Sequence, residues 1–393
     1  MDGFNADMLI TRLNGTVFVR CLVAVAKGIG SLLPLRNRSS LFFFFPFMHI
    51  GGAERVHADI VSCFPQERPW VFFTKRSHNS KFRPLFASAA RLFDIWPLLK
   101  YGYPTSVGIM AGLINRHKNP VVFGSNSLYY YLLVPYLKPH VRCIDLLHAF
   151  GGCSDTFSLP VADKLDCRVI INAKTKGDLE AQYRANGVDR RLLDRIVLIE
   201  NRVTVPSQYP EKKHPDVLNV IFVGRGSPEK RVYLVGKIAS RCREMRMPVQ
   251  FILVGDVGEA VEPEDRKHCL LRGEISDAAV MSAIYDHAHI LVLTSSREGF
   301  PLVVMEAMAH GVVPVCTDVG GIAAHVHHDA NGLLVGNGGE CEIEEAFVAA
   351  IQRLSDERDT LQRMSRAAFE HARACFGSEQ FCIAWRRLVL NKE

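Results

Sequence analysis

Two glutamates and two cations have the types and spacing to do chemistry on one anionic, hydroxyl-rich ligand. Between Leu291 and Gly311 an apolar run empties into Ser295, Ser296, Arg297, Glu298, Gly299, Phe300 and Pro301, and a mostly apolar segment beginning at Leu302 then carries Glu306. A carboxylate among Val303, Val304, Met305, Ala307 and Met308 is costly to bury without a partner, and a ligand hydroxyl would serve as one. Upstream, Arg225 and Lys230 bracket a loop of Gly226, Ser227 and Pro228, entered through Gly224 after the apolar run 218–223. A guanidinium fork and a flexible ammonium satisfy different oxygens, so a diphosphate would use both. The competing reading is a solvated turn of Glu229, Lys230 and Arg231. Gly51 and Gly52 follow the apolar run 41–47 and either let backbone N–H groups approach an anion at a helix N-terminus or simply turn the chain. Asp145 and His148 close another apolar run, as an acid and base pair or as satisfied structural groups.

Other chemistries lack their residues. The spacing G-x-G-x-x-G is missing after Gly51, no phosphate loop of the G-x-x-x-x-G-K-[ST] kind occurs, and no G-x-S-x-G elbow presents a nucleophile. No H-E-x-x-H is found, and the adjacent His327 and His328 would point apart on a helix, so no metal is expected in the reaction. The 11 cysteines are scattered, odd in number and without a C-x-x-C pair. They read mostly as small core residues in a reducing compartment, with no structural zinc. Tyr129, Tyr130 and Tyr131 lack interleaved basic residues, which argues for core or acceptor-cleft packing and against nucleic acid.

These loops need strands and helices to hold them. The chain has 393 residues, 48% of them hydrophobic, and a formal charge of +6 from 47 basic and 41 acidic residues. That length favours two domains, and the composition favours a packed globular protein. Strands are expected at 41–47, 70–73, 121–123, 142–146, 167–172 and 195–199, then at 218–223, 249–254, 269–271, 289–293, 312–316 and 332–335, with helices between most of them. Such alternation predicts two parallel sheets. The proline-punctuated run 206–217 is expected to be the linker between a domain at 41–205 and one at 218–377, and 378–393 a last helix that need not belong to the unit before it. Residues 1–40 form an extension in which the apolar stretch 17–35 is interrupted by Arg20 and Lys27. With Arg36 and Arg38 it suits a helix lying on anionic lipid, an amphipathic segment packed on its own domain, or a marginal anchor.

From residue 41 onward, this ordered set of motifs resembles the retaining glycosyltransferases of family 4, which are α/β proteins of GT-B fold, two Rossmann-like domains facing each other across a cleft. The most specific part is Glu298 and Glu306 in their setting of Gly299, Phe300, Pro301 and Leu302 before the second glutamate. The resemblance implies that Glu298 contacts the donor sugar, Glu306 the nucleotide ribose, Arg225 and Lys230 the diphosphate, and His148 the sugar. Gly51, Gly52, Gly224 and Gly255 would line the donor loops. It departs from the family at Pro301, which fits the first turn of a helix, at Arg202 where glycine is common, and at Arg231, a third donor-side cation or a solvated side chain. The run Asp318, Val319, Gly320 and Gly321 retains the small loop that the family closes on the donor.

The implied reaction moves a sugar from a nucleoside diphosphate, UDP or GDP, to a hydroxyl of a saccharide or glycolipid with retention, as in cell-surface polysaccharide or lipopolysaccharide biosynthesis. No cofactor or metal is expected, and an anionic membrane surface is a candidate partner. The expected location is cytoplasmic, at the inner face of the membrane if the extension binds lipid. A nucleotide-sugar epimerase and a non-catalytic nucleotide-sugar binding module are the alternatives.

Overall fold

A computed structural model describes residues 16–33, 39–151, 153–212 and 216–390. Arg36, Arg38, the first 15 residues and residues 213–215 of the expected linker lie outside these. The chain forms two compact units, Met1–Ile199 with Cys382–Glu393, and Glu200–Phe381.

In the first unit, β1 (Leu41–Phe45), β2 (Trp70–Phe73), β3 (Arg91–Asp94), β4 (Val121–Ser125), β5 (Arg142–Leu147), β6 (Cys167–Ile170) and β7 (Ile196–Leu198) pair in the order β3-β2-β1-β4-β5-β6-β7, all parallel. A central parallel strand is buried on both faces, which is why β1 reads as an unbroken run of Leu41 and four phenylalanines. Phe44 stacks on Phe72 at 4.9 Å while Phe43 meets Phe123 edge-on at 5.2 Å, on the other side of the sheet. The three tyrosines belong to this core. Tyr130 lies against Gly124 and donates to the Ile144 carbonyl at 2.8 Å. Strand β3 escapes the sequence reading because it is an exposed edge with charged ends, Arg91 and Asp94.

Helices α1 (Val17–Leu32), α2 (Gly52–Ser62) and α3 (Thr105–Ile114) also belong to this unit. Helix α1 packs on α3 through small residues. Gly30 lies over the Ile109 backbone, Gly108 over Val23 and Ala26, and Gly112 over the backbone of Lys27, Gly30 and Ser31. Its inner face is Val19, Val23, Ala26 and Gly30, so this part of the extension is packed on its own domain. Lys27 does not join Arg20 in facing outward; its ammonium donates to the Tyr136 carbonyl at 2.9 Å. The outer face carries Val17, Phe18, Val25 and Leu32, all exposed. Among the described residues no helix is long and apolar enough to cross a membrane.

The second unit repeats the plan. Strands β8 (Leu218–Val223), β9 (Val249–Val254), β10 (Cys269–Leu271), β11 (Ile290–Leu293), β12 (Val313–Thr317) and β13 (Leu333–Val335) form a parallel sheet in the order β10-β9-β8-β11-β12-β13. Helices α4 (Val232–Glu244), α5 (Ala278–His287), α6 (Leu302–Ala309) and α7 (Arg358–Cys375) bear on the site. Two polar residues of the run expected as a linker, Tyr209 and Lys212, find their partners within this unit. Tyr209 Oη hydrogen-bonds Ser365 Oγ at 2.8 Å, and Lys212 Nζ donates to the Tyr285 and Asp286 carbonyls at 2.7 and 3.0 Å.

Helix α8 (Ser378–Leu390) ends the described chain, and Cys382–Glu393 counts with the first unit. Trp385 is buried edge-on to Phe123 at 5.4 Å, and Arg386 pairs with Glu67 at 2.7 Å. Cys63 and Cys382 form a disulfide, so these two are not the free core thiols the scatter of cysteines suggested.

Replacing Gly112 by leucine would drive a side chain into the α1 backbone, for which there is no space. The expected cost is about 1–3 kcal/mol of stability, the usual penalty of overpacking, read as a lowered denaturant midpoint.

Candidate functional site

Open parallel sheets bind ligands outside the carboxyl ends of their strands, where the strand order reverses. In the second unit that point lies between β8 and β11, and the predicted residues occupy its loops. Gly224 ends β8 with its N–H on the Val254 carbonyl at 3.0 Å, and Gly226 donates to Asp256. Gly255 has φ +125°, and any side chain there would strike the Gly224 carbonyl, so this pair of loops requires glycine.

Glu298 is the centre of the loop after β11. Its Oε1 accepts from Lys230 Nζ at 2.5 Å and from Ser295 Oγ at 2.6 Å, in a setting that leaves the carboxylate side chain only 8% exposed. Charge-assisted hydrogen bonds of this kind are shorter and stronger than neutral ones, so they fix the carboxylate in position. Lys230, read from sequence as a diphosphate ligand, is thus bound to the other predicted ligand. Arg225 is exposed on the same loop.

Arg231 is tied to the neighbouring loops and is not a merely solvated side chain. Its guanidinium donates to the carbonyls of Thr294 and Ser295 at 2.7 and 3.0 Å and to Asn337 Oδ1 at 2.7 Å, tying the end of β11 in place. Its φ of +47° explains why glycine suits this position, and the three hydrogen bonds offset the strain of an arginine there.

Pro301 stands as the N-cap of α6, one residue ahead of the first helical turn, where its missing N–H is equally unneeded. Leu302 begins that helix and is buried. Phe300 is buried too, stacked on His325 at 4.5 Å, so toward a ligand it and Gly299 offer backbone. Glu306 finds a protein partner for its carboxylate: Tyr285 Oη on α5 donates to Oε2 at 2.9 Å. Behind the loop, Gly320 has φ +61° and lies against the Glu298 backbone, and Gly321 N–H donates to the Gly299 carbonyl at 2.6 Å.

In the first unit, Gly51 and Gly52 open α2 after β1, with Gly51 extended and Gly52 exposed. The Glu54 carboxyl group folds back over Gly51, its Oε1 3.7 Å from His49 Nε2. His148 follows β5. It does not pair with Asp145; its Nε2 lies 2.9 Å from His57 Nε2 on α2. His57 is fully buried and stacks on Phe45 at 4.2 Å. Desolvation pushes His148 down to about 4 and His57 well below the ordinary histidine value, the latter also repelled by His148, so both rings are neutral near pH 7. Asp145 is structural: Arg168 donates to its Oδ2 through Nε at 3.0 Å and Nη2 at 2.8 Å, and Tyr131 Oη donates to Oδ1 at 2.9 Å.

His57, Ser295 and Tyr285 escape sequence reading because nothing in their local pattern marks the side chain each one meets. The left-handed residue at 231 leaves a faint signal, an arginine where related loops favour glycine.

Comparison with known proteins sharpens the picture. Residues 218–357 match the family model described as glycosyl transferases group 1. The chain is 38% identical over 174 residues to D-inositol 3-phosphate glycosyltransferase of Streptomyces griseus subsp. griseus, covering 40% of this chain and 36% of that protein. It is 25% identical over 226 residues to the same enzyme of Paenarthrobacter aurescens, covering 52% and 53%. The chain therefore spans about a third to a half of the length of these curated relatives. Among solved structures, Anabaena HepE in complex with UDP-glucose superposes with a TM-score of 0.71 at 16% identity, over 90% of this chain and 99% of that one. The lipopolysaccharide outer core galactosyltransferase WaaB does so with a TM-score of 0.66 at 16% identity, over 90% and 99%. The fold is GT-B. At such identities the likeness speaks for two Rossmann-like domains with parallel sheets.

Removing Asp145 as Asp145→Asn would leave the Arg168 guanidinium buried and uncompensated. The expected loss is about 3–5 kcal/mol, read from equilibrium unfolding. The histidine pair gives a pH signature. Below the ordinary value of 6.5 the unfolded chain binds protons that the folded rings refuse, so stability should fall as pH drops from 6.5 toward 4. His148→Asn should flatten that slope, and an unchanged slope would contradict the assignment.

Proposed function

We propose that this chain is a retaining glycosyltransferase that moves a sugar from a UDP- or GDP-sugar to a hydroxyl of a saccharide or lipid-linked glycan. The observation that carries the reading is the Lys230–Glu298 pair, held by Ser295 at the carboxyl edge of β8 and β11, inside the segment that matches the glycosyl transferases group 1 model. A bound donor would divide that pair between its own parts: the ammonium to a diphosphate oxygen, the carboxylate to sugar hydroxyls. Arg225 would supply the second cation and Glu306 a ribose contact.

As the bond to the leaving phosphate stretches, negative charge grows on the diphosphate and positive charge on the sugar ring. Arg225 and Lys230 would then act most strongly in the transition state. A front-face attack suits the residues, with a donor phosphate oxygen taking the acceptor proton. His148, neutral and steadied by His57, would hydrogen-bond the sugar through its other ring nitrogen. In this reading no metal is needed, since the basic side chains provide the positive field. Support for an acceptor in a cell-surface polymer comes from the structural likeness to WaaB, which its name describes as acting on the lipopolysaccharide outer core. The exposed Val17, Phe18, Val25 and Leu32 of α1 would suit a membrane surface, and in this proposal the protein works at the cytoplasmic face of it.

The deciding experiment offers a panel of nucleotide sugars, with and without pooled glycan and glycolipid acceptors, and reads products by mass spectrometry. One sugar added to an acceptor is the expected result. Donor isomerisation without acceptor would favour an epimerase, and binding without turnover a recognition module. Lys230→Ala should lower kcat by about 100-fold or more, the scale of losing a preorganised charge-stabilising donor. His148→Ala should impair transfer far more than nucleotide binding.

A further inference from the structure

His325, His371 and Cys375 lie together in the second unit, and no step of the proposed transfer uses them. One donor atom from each falls within 4.8 Å of the others. His371 and Cys375 are four apart on α7 and so share a face of that helix, while His325 comes from the turn after the helical residues Ile322–Ala324. His325 Nδ1 and His371 Nε2 are 3.2 Å apart. Two ring nitrogens that close need a proton or a cation between them.

The other nitrogen of His325 identifies which lone pair is offered. Its Nε2 lies 3.1 Å from Glu200 Oε1, and a carboxylate can only accept, so Nε2 carries the proton and Nδ1 is bare toward His371. A carboxylate behind an imidazole is the arrangement that orients and strengthens histidine ligands in metal sites. The nitrogen separation also fits. Two histidines bound to one tetrahedral zinc at about 2.0–2.1 Å stand about 3.3 Å apart. The turn is braced independently, with Asn331 Nδ2 donating to the His325 carbonyl at 2.9 Å and the His327 N–H donating to Asn331 Oδ1 at 2.7 Å. His327 lies beyond, its ring 5.3 Å from that of His371, near enough to supply a further ligand after a side-chain rotation.

We propose that His325, His371 and Cys375 form a structural site for a borderline-soft divalent metal, zinc being the best match to two imidazoles and a thiolate. On binding, the Cys375 thiol gives its proton to solvent and the metal replaces the proton shared by the two rings. The fourth position is taken by water or by His327. Glu200 is a positioning residue. The bound ion joins the end of α7 to the turn on which Phe300 stacks, and so stiffens the backbone leading to Glu298. This site is independent of the transferase reading, and sequence spacing misses it because each segment supplies one or two ligands.

The test uses the full chain, stripped with chelator and desalted, and titrated with zinc chloride against a chromophoric zinc chelator. One tight equivalent is expected, with Cys375→Ser and His371→Asn each weakening it by about tenfold or more and Glu200→Gln by about tenfold. Cobalt(II) in place of zinc should give a thiolate charge-transfer band that Cys375→Ser abolishes. Zinc should also protect Cys375, but not the exposed Cys341, from iodoacetamide in the unmutated protein, a readout that no folding defect can mimic. Absence of a saturable equivalent, equal affinity in the His371→Asn, Cys375→Ser double variant, or unprotected Cys375 would overturn the site.

Discussion

The second unit is organised around holding one carboxylate in place at the end of a buried strand. Glu298 follows β11 where the sheet interior ends, and Lys230 and Ser295 both reach the same oxygen of its carboxylate. Everything nearby serves that placement. Arg231 holds the carbonyls of Thr294 and Ser295, Gly320 allows the next loop to lie on the Glu298 backbone, and Gly255 lets the β9 loop close on Gly224. Remove one of these and the carboxylate loses either its counter-charge or its position.

The first unit meets the same difficulty twice and solves it differently. At β5 a fully buried aspartate is neutralised by an equally buried arginine from β6, with Tyr131 filling the remaining oxygen. Such a pair adds little net stability over an apolar pair of similar shape, but each member makes the other obligatory. Just beyond the end of the same strand, His148 is kept neutral by burial, beside a second histidine. A charged ring there would have to face His57 with both nitrogens protonated, so the pair favours one proton between two rings.

The sheets were legible because parallel strands buried on both faces leave unbroken apolar runs, as at Phe42–Phe45 and Leu218–Val223. The edge strand Arg91–Asp94 leaves no such run. Candidate site residues stand out in the sequence where chemistry concentrates in a short segment, as with Glu298 and Glu306, and the close approach of Gly255 to Gly224 shows why glycine stands at both positions. What could not be read depends on pairings across the chain. Arg231 looks like a surface cation until its carbonyl partners are known, the run around Tyr209 looks like a linker until Ser365 meets it, and Asp145 looks like a partner for His148 until Arg168 claims it. Cysteines are the sharpest case, since only the fold brings Cys63 to Cys382 across 319 positions.

That disulfide, with Trp385 and Arg386 beside it, means that the first unit is discontinuous in the chain. The part of α8 that closes it, from Cys382 on, is synthesised only after the whole of Glu200–Phe381, so the place beside Phe123 that Trp385 fills stays empty while the second unit emerges from the ribosome. The first unit must therefore wait until translation has passed Phe381 to complete its own interior. A premature stop in the codons just after Phe381 would spare every strand of both sheets and still leave the earlier-made unit, not the later one, with an open core.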